Sequence, residues 1–162
     1  MPQTQSAKQK LSSKFEEVQL VYSNKTLAKD RPHVKTPEEA YEIFLQNWDM
    51  EQIGLLEEAK ILLLDNSMRL MSVSSISRGG MTEAIVDPRV IFAIALKRRA
   101  HAIILAHNHP TGNMKPSQAD LQLTKRLVAS GQVLRIPLQD HLIISNEQYY
   151  SMAVEGHLEW PV

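Results

Sequence analysis

Ala102-Ile103-Ile104-Leu105-Ala106-His107-Asn108-His109-Pro110 is an apolar run that ends in two imidazoles and a proline. Its first five residues are apolar and β-prone, which predicts a buried strand. Side chains two apart on a strand point the same way, so His107 and His109 are expected on one side at the strand's C-terminal end. Pro110-Thr111-Gly112-Asn113 is turn chemistry. The helical pattern that begins at Pro116-Ser117-Gln118-Ala119-Asp120 then puts Asp120 in a first helical turn. The intervening loop is long enough to bring Asp120 back over the histidines. Two neutral imidazoles and a carboxylate leave one corner of a Zn²⁺ tetrahedron for water, the layout of a catalytic rather than a structural zinc site. Ser117 and Asp120 also form a plain helix start, with a capping hydroxyl and an acid at the positive end of the dipole. The two readings are compatible.

Working outward, Thr36-Pro37-Glu38-Glu39 starts a helix expected to reach about Trp48 and to bury Ala40, Ile43, Phe44 and Trp48. Ala59 to Leu64 reads as a buried strand, Asp65-Asn66-Ser67 as a turn and Leu70 to Ile76 as a second strand of a hairpin, which Arg78-Gly79-Gly80 breaks. Asp87-Pro88 opens a helix with Ile91, Ile94, Ala95 and Phe92 facing inward. The helix after Ser117 is expected to end near Ser130 with Gly131 as its C-cap, followed by short strands at Val133 to Ile136 and His141 to Ser145. Residues 1–13 are polar and read as disordered, and Lys14 to Tyr22 as an edge strand. Alternating strands and helices predict an α/β fold layered around a mixed sheet. The expected organisation is an N-terminal segment, 1–34, and one domain, 35–158.

The chain has 162 residues, 43% of them apolar, which suits one domain with a real core. Eighteen basic residues balance eighteen acidic ones, which argues against a protein built around nonspecific nucleic-acid binding. Lys97-Arg98-Arg99 is a local basic cluster, read as the cationic last turn of a helix. There is no cysteine, so disulfides, thiolate zinc sites and a cysteine nucleophile are excluded. No apolar run is long enough to span a bilayer, and Met1 to Ser13 lacks a signal-peptide core. A cytoplasmic protein without membrane association is expected.

The spacing H-x-H-x7-S-x2-D, here His107, His109, Ser117 and Asp120, resembles the motif of JAMM (MPN-type) zinc metallopeptidases. The fuller string A-H-N-H-P-T-G-N-M-K-P-S-Q-A-D, with D-H-L-I-I after it, is similar to the RadC branch of that superfamily, from about residue 36 to about residue 155. The resemblance implies a three-layer α/β/α, cytidine-deaminase-like fold. It implies that His107, His109 and Asp120 bind zinc and that Ser117 assists at an oxyanion. JAMM enzymes also use a glutamate just ahead of the first core strand. Glu57 is the favoured match and Glu58 the alternate, because neighbours on an extended strand face opposite sides. The plain alternative is a pair of solvated acids at a helix end. Many RadC-type proteins carry a helix-hairpin-helix-like segment ahead of this region, and the first 35 residues or so lack the pattern for one.

The implied activity is hydrolysis of an amide bond in a peptide, isopeptide or small-amide substrate. Zn²⁺ would lower the pKa of water from 15.7 toward ~7, with Glu57 as the proton carrier. Ser117 would hold the tetrahedral oxyanion, a contact worth on the order of 3 kcal/mol. Each ligand histidine is expected to donate its second ring N–H to a carbonyl or carboxylate. His141 reads as a satisfied histidine at a strand start, with a supporting role behind the site or contact with substrate as the alternatives. A nucleobase deaminase is disfavoured because that chemistry uses H-x-E with P-C-x-x-C. The remaining alternative is a noncatalytic or DNA-associated RadC-type protein.

Overall fold

The computed structural model describes residues 26–79 and 85–158. The sequence readings at residues 1–13, at Lys14 to Tyr22 and at Gly80 lie outside the described residues. Strands β1 (Glu58–Leu64) and β3 (Ala102–Asn108) are buried along their whole length. From Ile61 to Leu64 and from Ala102 to Ala106 they run apolar without alternation, because helices cover both faces of the sheet there.

The other strands are β2 (Leu70–Arg78), β4 (Leu138–Ile144) and β5 (Tyr149–Ser151). The sheet order is β2-β1-β3-β4-β5. The β3–β4 pair is parallel and the other pairs are antiparallel, so the sheet is mixed. Among the described residues three α-helices complete the fold: α1 (Pro37–Gln46), α2 (Pro88–Arg98) and α3 (Gln118–Leu134). On one face, Ala59, Ile61, Leu63, Ile103 and Leu105 pack with Ile91, Phe92 and Ala95 of α2 and Leu123, Leu127 and Val128 of α3. On the other, Leu62, Leu64, Ile104, Ala106, Leu142 and Ile144 pack with Ala40 and Phe44 of α1 and with Val34 and Trp48. This is the three-layer α/β/α architecture with a mixed sheet. No described helix is long and apolar enough to cross a membrane.

The helix starts follow their local chemistry. Thr36 accepts the Glu39 N–H in a full capping box, with Pro37 at the first position. Asp87 accepts the Arg89 N–H. The first helix ends at Gln46, two residues short of Trp48, yet the indole still packs against Phe44. At the hairpin, Asp65 Oδ1 accepts the N–H groups of Ser67 and Arg69, and Met68 takes the left-handed conformation with φ 58°. Strand β2 runs two residues past Ile76, to Arg78.

One segment departs from expectation. The helix after Ser117 does not stop at Gly131 but continues to Leu134, with Arg135 in the left-handed C-cap position. Val133 to Ile136 is therefore no strand. Gly131 lies inside the helix because the chain folds back against it. A Cβ there would sit 2.5 Å from the Ile136 carbonyl oxygen. The glycine marks a close approach rather than a helix end. In consequence β4 begins at Leu138 and places His141 in mid-strand instead of at a strand start.

Candidate metal centre

The C-terminal end of β3 delivers His107, and the residue just beyond the strand delivers His109. Their Nε2 atoms lie 2.9 Å apart. Asp120 stands at the third position of α3, where it forms a capping box with Ser117. Its Oδ1 is 3.2 Å from His107 Nε2 and its Oδ2 is 3.5 Å from His109 Nε2. The ligand atoms of the three residues lie within 4.8 Å of one another, so they can hold a metal ion. Tetrahedral zinc with bonds of 2.0–2.2 Å needs ligand atoms about 3.4 Å apart. The observed spacings bracket that value.

The proton assignments test this fit further. The Thr124 hydroxyl lies 2.7 Å from the Asp120 carbonyl oxygen and 3.1 Å from the Met152 sulfur, and both of these can only accept. Its single proton goes to one of them, so its oxygen must accept from His141 Nδ1–H at 2.7 Å. Burial drives the pKa of His141 well below the ordinary value and keeps the ring neutral. Its Nε2 then accepts from His107 Nδ1–H at 2.8 Å. A neutral His107 is left with a bare Nε2. On His109, Nδ1–H donates to the Asn113 carbonyl at 2.5 Å, so its neutral form also presents a bare Nε2. Two lone pairs and a carboxylate thus converge on one point. Such a set is repulsive without a cation or a proton among its members.

The charges agree with that conclusion. Desolvation pushes the Asp120 carboxyl up, but a proton or positive charge shared with the His107 and His109 rings outweighs it and holds its pKa well below the carboxylate range. The His109 pKa is raised, chiefly by its bond to Asp120 against the opposing effect of burial, with smaller help from Asn113 and from the charge of Glu57.

Glu57 and Glu58 part ways. Glu57 immediately precedes β1, half-buried, with its charge felt at His109. Glu58 is buried and turned to the opposite face, 3.3 Å from Lys60 Nζ and 3.2 Å from Arg78 Nε. Neither sits at a helix end. Ser117 is exposed at the helix start, and its hydroxyl donates to Asp120 Oδ2 at 2.7 Å.

Sequence reasoning passed over Thr124 and gave His141 only an alternative role. One of the two expected carbonyl partners is present, Asn113 on His109, whereas His107 is backed by an imidazole. The signal available was the D-H pair ahead of an apolar run, but its register against β3 is set by a break in the β3–β4 pairing between Ile103 and Ile104. Asn108 was also passed over as a structural residue. It is fully buried on the α1 side of the sheet and bonded to the segment ahead of β1.

Comparison with known proteins gives this arrangement its family. The family model described as the RadC-like JAB domain matches residues 34–157. A UPF0758 protein of Flavobacterium johnsoniae is 44% identical over 100 residues, covering 62% of this chain and 44% of that protein. UPF0758 protein tlr1707 of Thermosynechococcus vestitus is 48% identical over 96 residues, 59% of this chain and 38% of the relative. A UPF0758 protein of Alkaliphilus metalliredigens is 39% identical over 121 residues, 74% of this chain and 50% of the relative. The chain spans half or less of the length of these relatives. By the extent of the family match, this chain belongs to the RadC-like JAB domain family.

Proposed function

We propose that this domain is a zinc-dependent hydrolase of amide bonds, in peptide, isopeptide or small-amide substrates. The observation that carries the reading is the convergence of the His107 and His109 Nε2 atoms on the Asp120 carboxylate, with Glu57 near enough for its charge to act on His109. His107, His109 and Asp120 would hold the zinc, which would supply Lewis acidity to lower the pKa of water from 15.7 toward ~7 and to polarise a carbonyl.

The chain's own residues do the rest. Glu57 accepts a proton from the attacking water and passes it to the leaving amine. Ser117 presents a hydroxyl at the open side of the site. Its O–H donates to Asp120 Oδ2 and must turn outward to meet a tetrahedral oxyanion. His141 and Thr124 hold His107 in the tautomer that leaves its Nε2 bare.

The test is a metal-dependent cleavage screen over peptide, isopeptide and small-amide substrates, run beside Glu57→Gln. Zinc near one per chain and cleavage lost in Glu57→Gln support the reading. A chain that binds no zinc sinks it. Salt-dependent DNA affinity that persists after the ligands are removed would favour the noncatalytic, DNA-associated alternative.

A further inference from the structure

Asn108 stands between the two imidazoles and points the other way. We propose that Asn108 is a positioning residue for Glu57, because its side-chain amide fastens the segment that carries this carboxylate to the strand that carries His107. The inference rests on the proposed reading of Glu57 as the proton acceptor.

Asn108 Nδ2 donates to the carbonyl oxygens of Ile53 at 2.7 Å and Leu56 at 2.8 Å. Its Oδ1 accepts the Glu58 N–H at 2.7 Å. An amide side chain offers two N–H donors and one carbonyl acceptor, and here all are engaged. The bonded groups flank Glu57 on both sides in sequence. Aspartate keeps the acceptor but has no donor for the two carbonyls. Serine has one donor and a shorter reach.

The segment needs such a tie. Residues 50–56 are turns, with the Leu55 and Leu56 N–H groups both directed to the Gln52 carbonyl. Glu57 itself is held by backbone: its carbonyl accepts the Gly79 N–H at 2.8 Å. Irregular backbone opens more readily than strand backbone. A base must stay within about 0.5 Å of its working position. By bonding to residues on both sides of Glu57, Asn108 makes the carboxylate's backbone part of the same rigid body as His107. The middle residue of the H-x-H motif thus serves the site from the opposite face of the sheet.

The chain has no cysteine, so Glu57→Cys gives a single attachment point for a trifluoromethyl thiol tag. The full chain is loaded with Co²⁺, with Zn²⁺ as the diamagnetic reference, and ¹⁹F relaxation reports the distance from residue 57 to the metal. With Asn108 present, one strongly relaxed resonance is expected. With Asn108→Asp added, metal stoichiometry should hold while the paramagnetic relaxation falls at least several-fold or the resonance splits. Leu127→Ala, a core change of comparable stability loss, should leave the relaxation as it was. Hydrogen exchange supplies an arm that needs no metal: the Leu55, Leu56 and Glu58 amides should exchange at least ten-fold faster in Asn108→Asp, with α3 unchanged.

Unchanged relaxation and unchanged exchange in folded Asn108→Asp overturn the proposal. If that variant does not fold, native-state exchange on the parent decides. A Glu58 amide that exchanges only with global unfolding supports the tie, and one that opens with the turns overturns it. Failure of the hydrolase reading shows differently, as absence of metal binding with Asn108 intact.

Discussion

Three pairs of adjacent residues split between the two faces of the sheet: Glu57 and Glu58, His107 and Asn108, His141 and Asp140. The first of each pair lies on the side of the candidate metal site beside α3. The second faces the α1 side and builds scaffold. Glu58 pairs with Lys60 and Arg78, Asn108 bonds the segment before β1, and Asp140 accepts from the Ser151 hydroxyl and the Ala153 N–H. The split teaches that strand alternation is what keeps reactive and supporting groups apart. A one-residue slip in register would exchange the two sets entirely.

The largest effect comes from the metal-facing set itself. His107→Ala or Asp120→Ala removes one of the three proposed ligands, and zinc affinity should fall on the order of 10³-fold or more, read by chelator competition. Asn108→Asp, one residue from His107, should keep zinc. If the neighbour on the opposite face lost zinc as completely as His107→Ala, the separation of faces would be broken. Next comes the acidic pair. Glu57→Gln should leave zinc content and melting temperature near the parent values and lower turnover by roughly 10²–10⁴-fold. Glu58→Gln should do the reverse: turnover near the parent level, and about 1–3 kcal/mol of stability lost as Lys60 and Arg78 lose their charged partner. The opposite pattern would move the proposed base to Glu58.

A sharper version of the comparison uses His141. His141→Phe fills the same space but takes away the acceptor for His107 Nδ1–H. Zinc affinity should drop about 10–100-fold, with His141→Gln recovering part of it by keeping an acceptor. Equal affinities in the parent and both variants would mean that His107 orients itself without support.

Much of this was legible in the sequence, and the limits have physical causes. Apolar runs gave β1 and β3, Thr36 and Asp87 gave two helix starts, and the spacing of His107, His109 and Asp120 gave the group that can hold a metal. These are local signals. Gly131 misled because a glycine serves equally as a helix end or as a close approach, and only the packing of Ile136 tells them apart. His141 and Asn108 were undervalued because their partners lie 34 and 50 to 55 residues away, across strand pairings whose register the sequence does not carry.

Smaller effects compare the site with copies of its parts elsewhere. The described residues hold two capping boxes, Thr36 with Glu39 and Ser117 with Asp120. Thr36→Ala and Ser117→Ala should each cost about 1 kcal/mol of stability, read from denaturant midpoints. Only Ser117→Ala should also alter zinc affinity, since its hydroxyl bonds the Asp120 carboxylate. An equal silence of both variants toward zinc would make Ser117 a cap and nothing more at the metal.

The far end of β1 provides the last contrast, an aspartate with structural work alone. Burial pushes the Asp65 carboxyl up, but the N–H groups of Arg69 and Ser67 and the charge of Arg31 outweigh it and hold its pKa below the ordinary 3.8. A depressed carboxylate stabilises the fold above its unfolded pKa, and that contribution is lost as pH falls through the folded value. Asp65→Asn should therefore cost about 1 kcal/mol at pH 7, where the parent carboxylate is charged. The gap between parent and variant should close as the pH drops below about 3.8, the ordinary aspartate value. Neither zinc content nor turnover should change. A stability gap that stays constant from pH 7 into acid would show that the hairpin depends on the shape of Asp65 and not on its charge, and the acid limb of unfolding would then belong to other carboxylates.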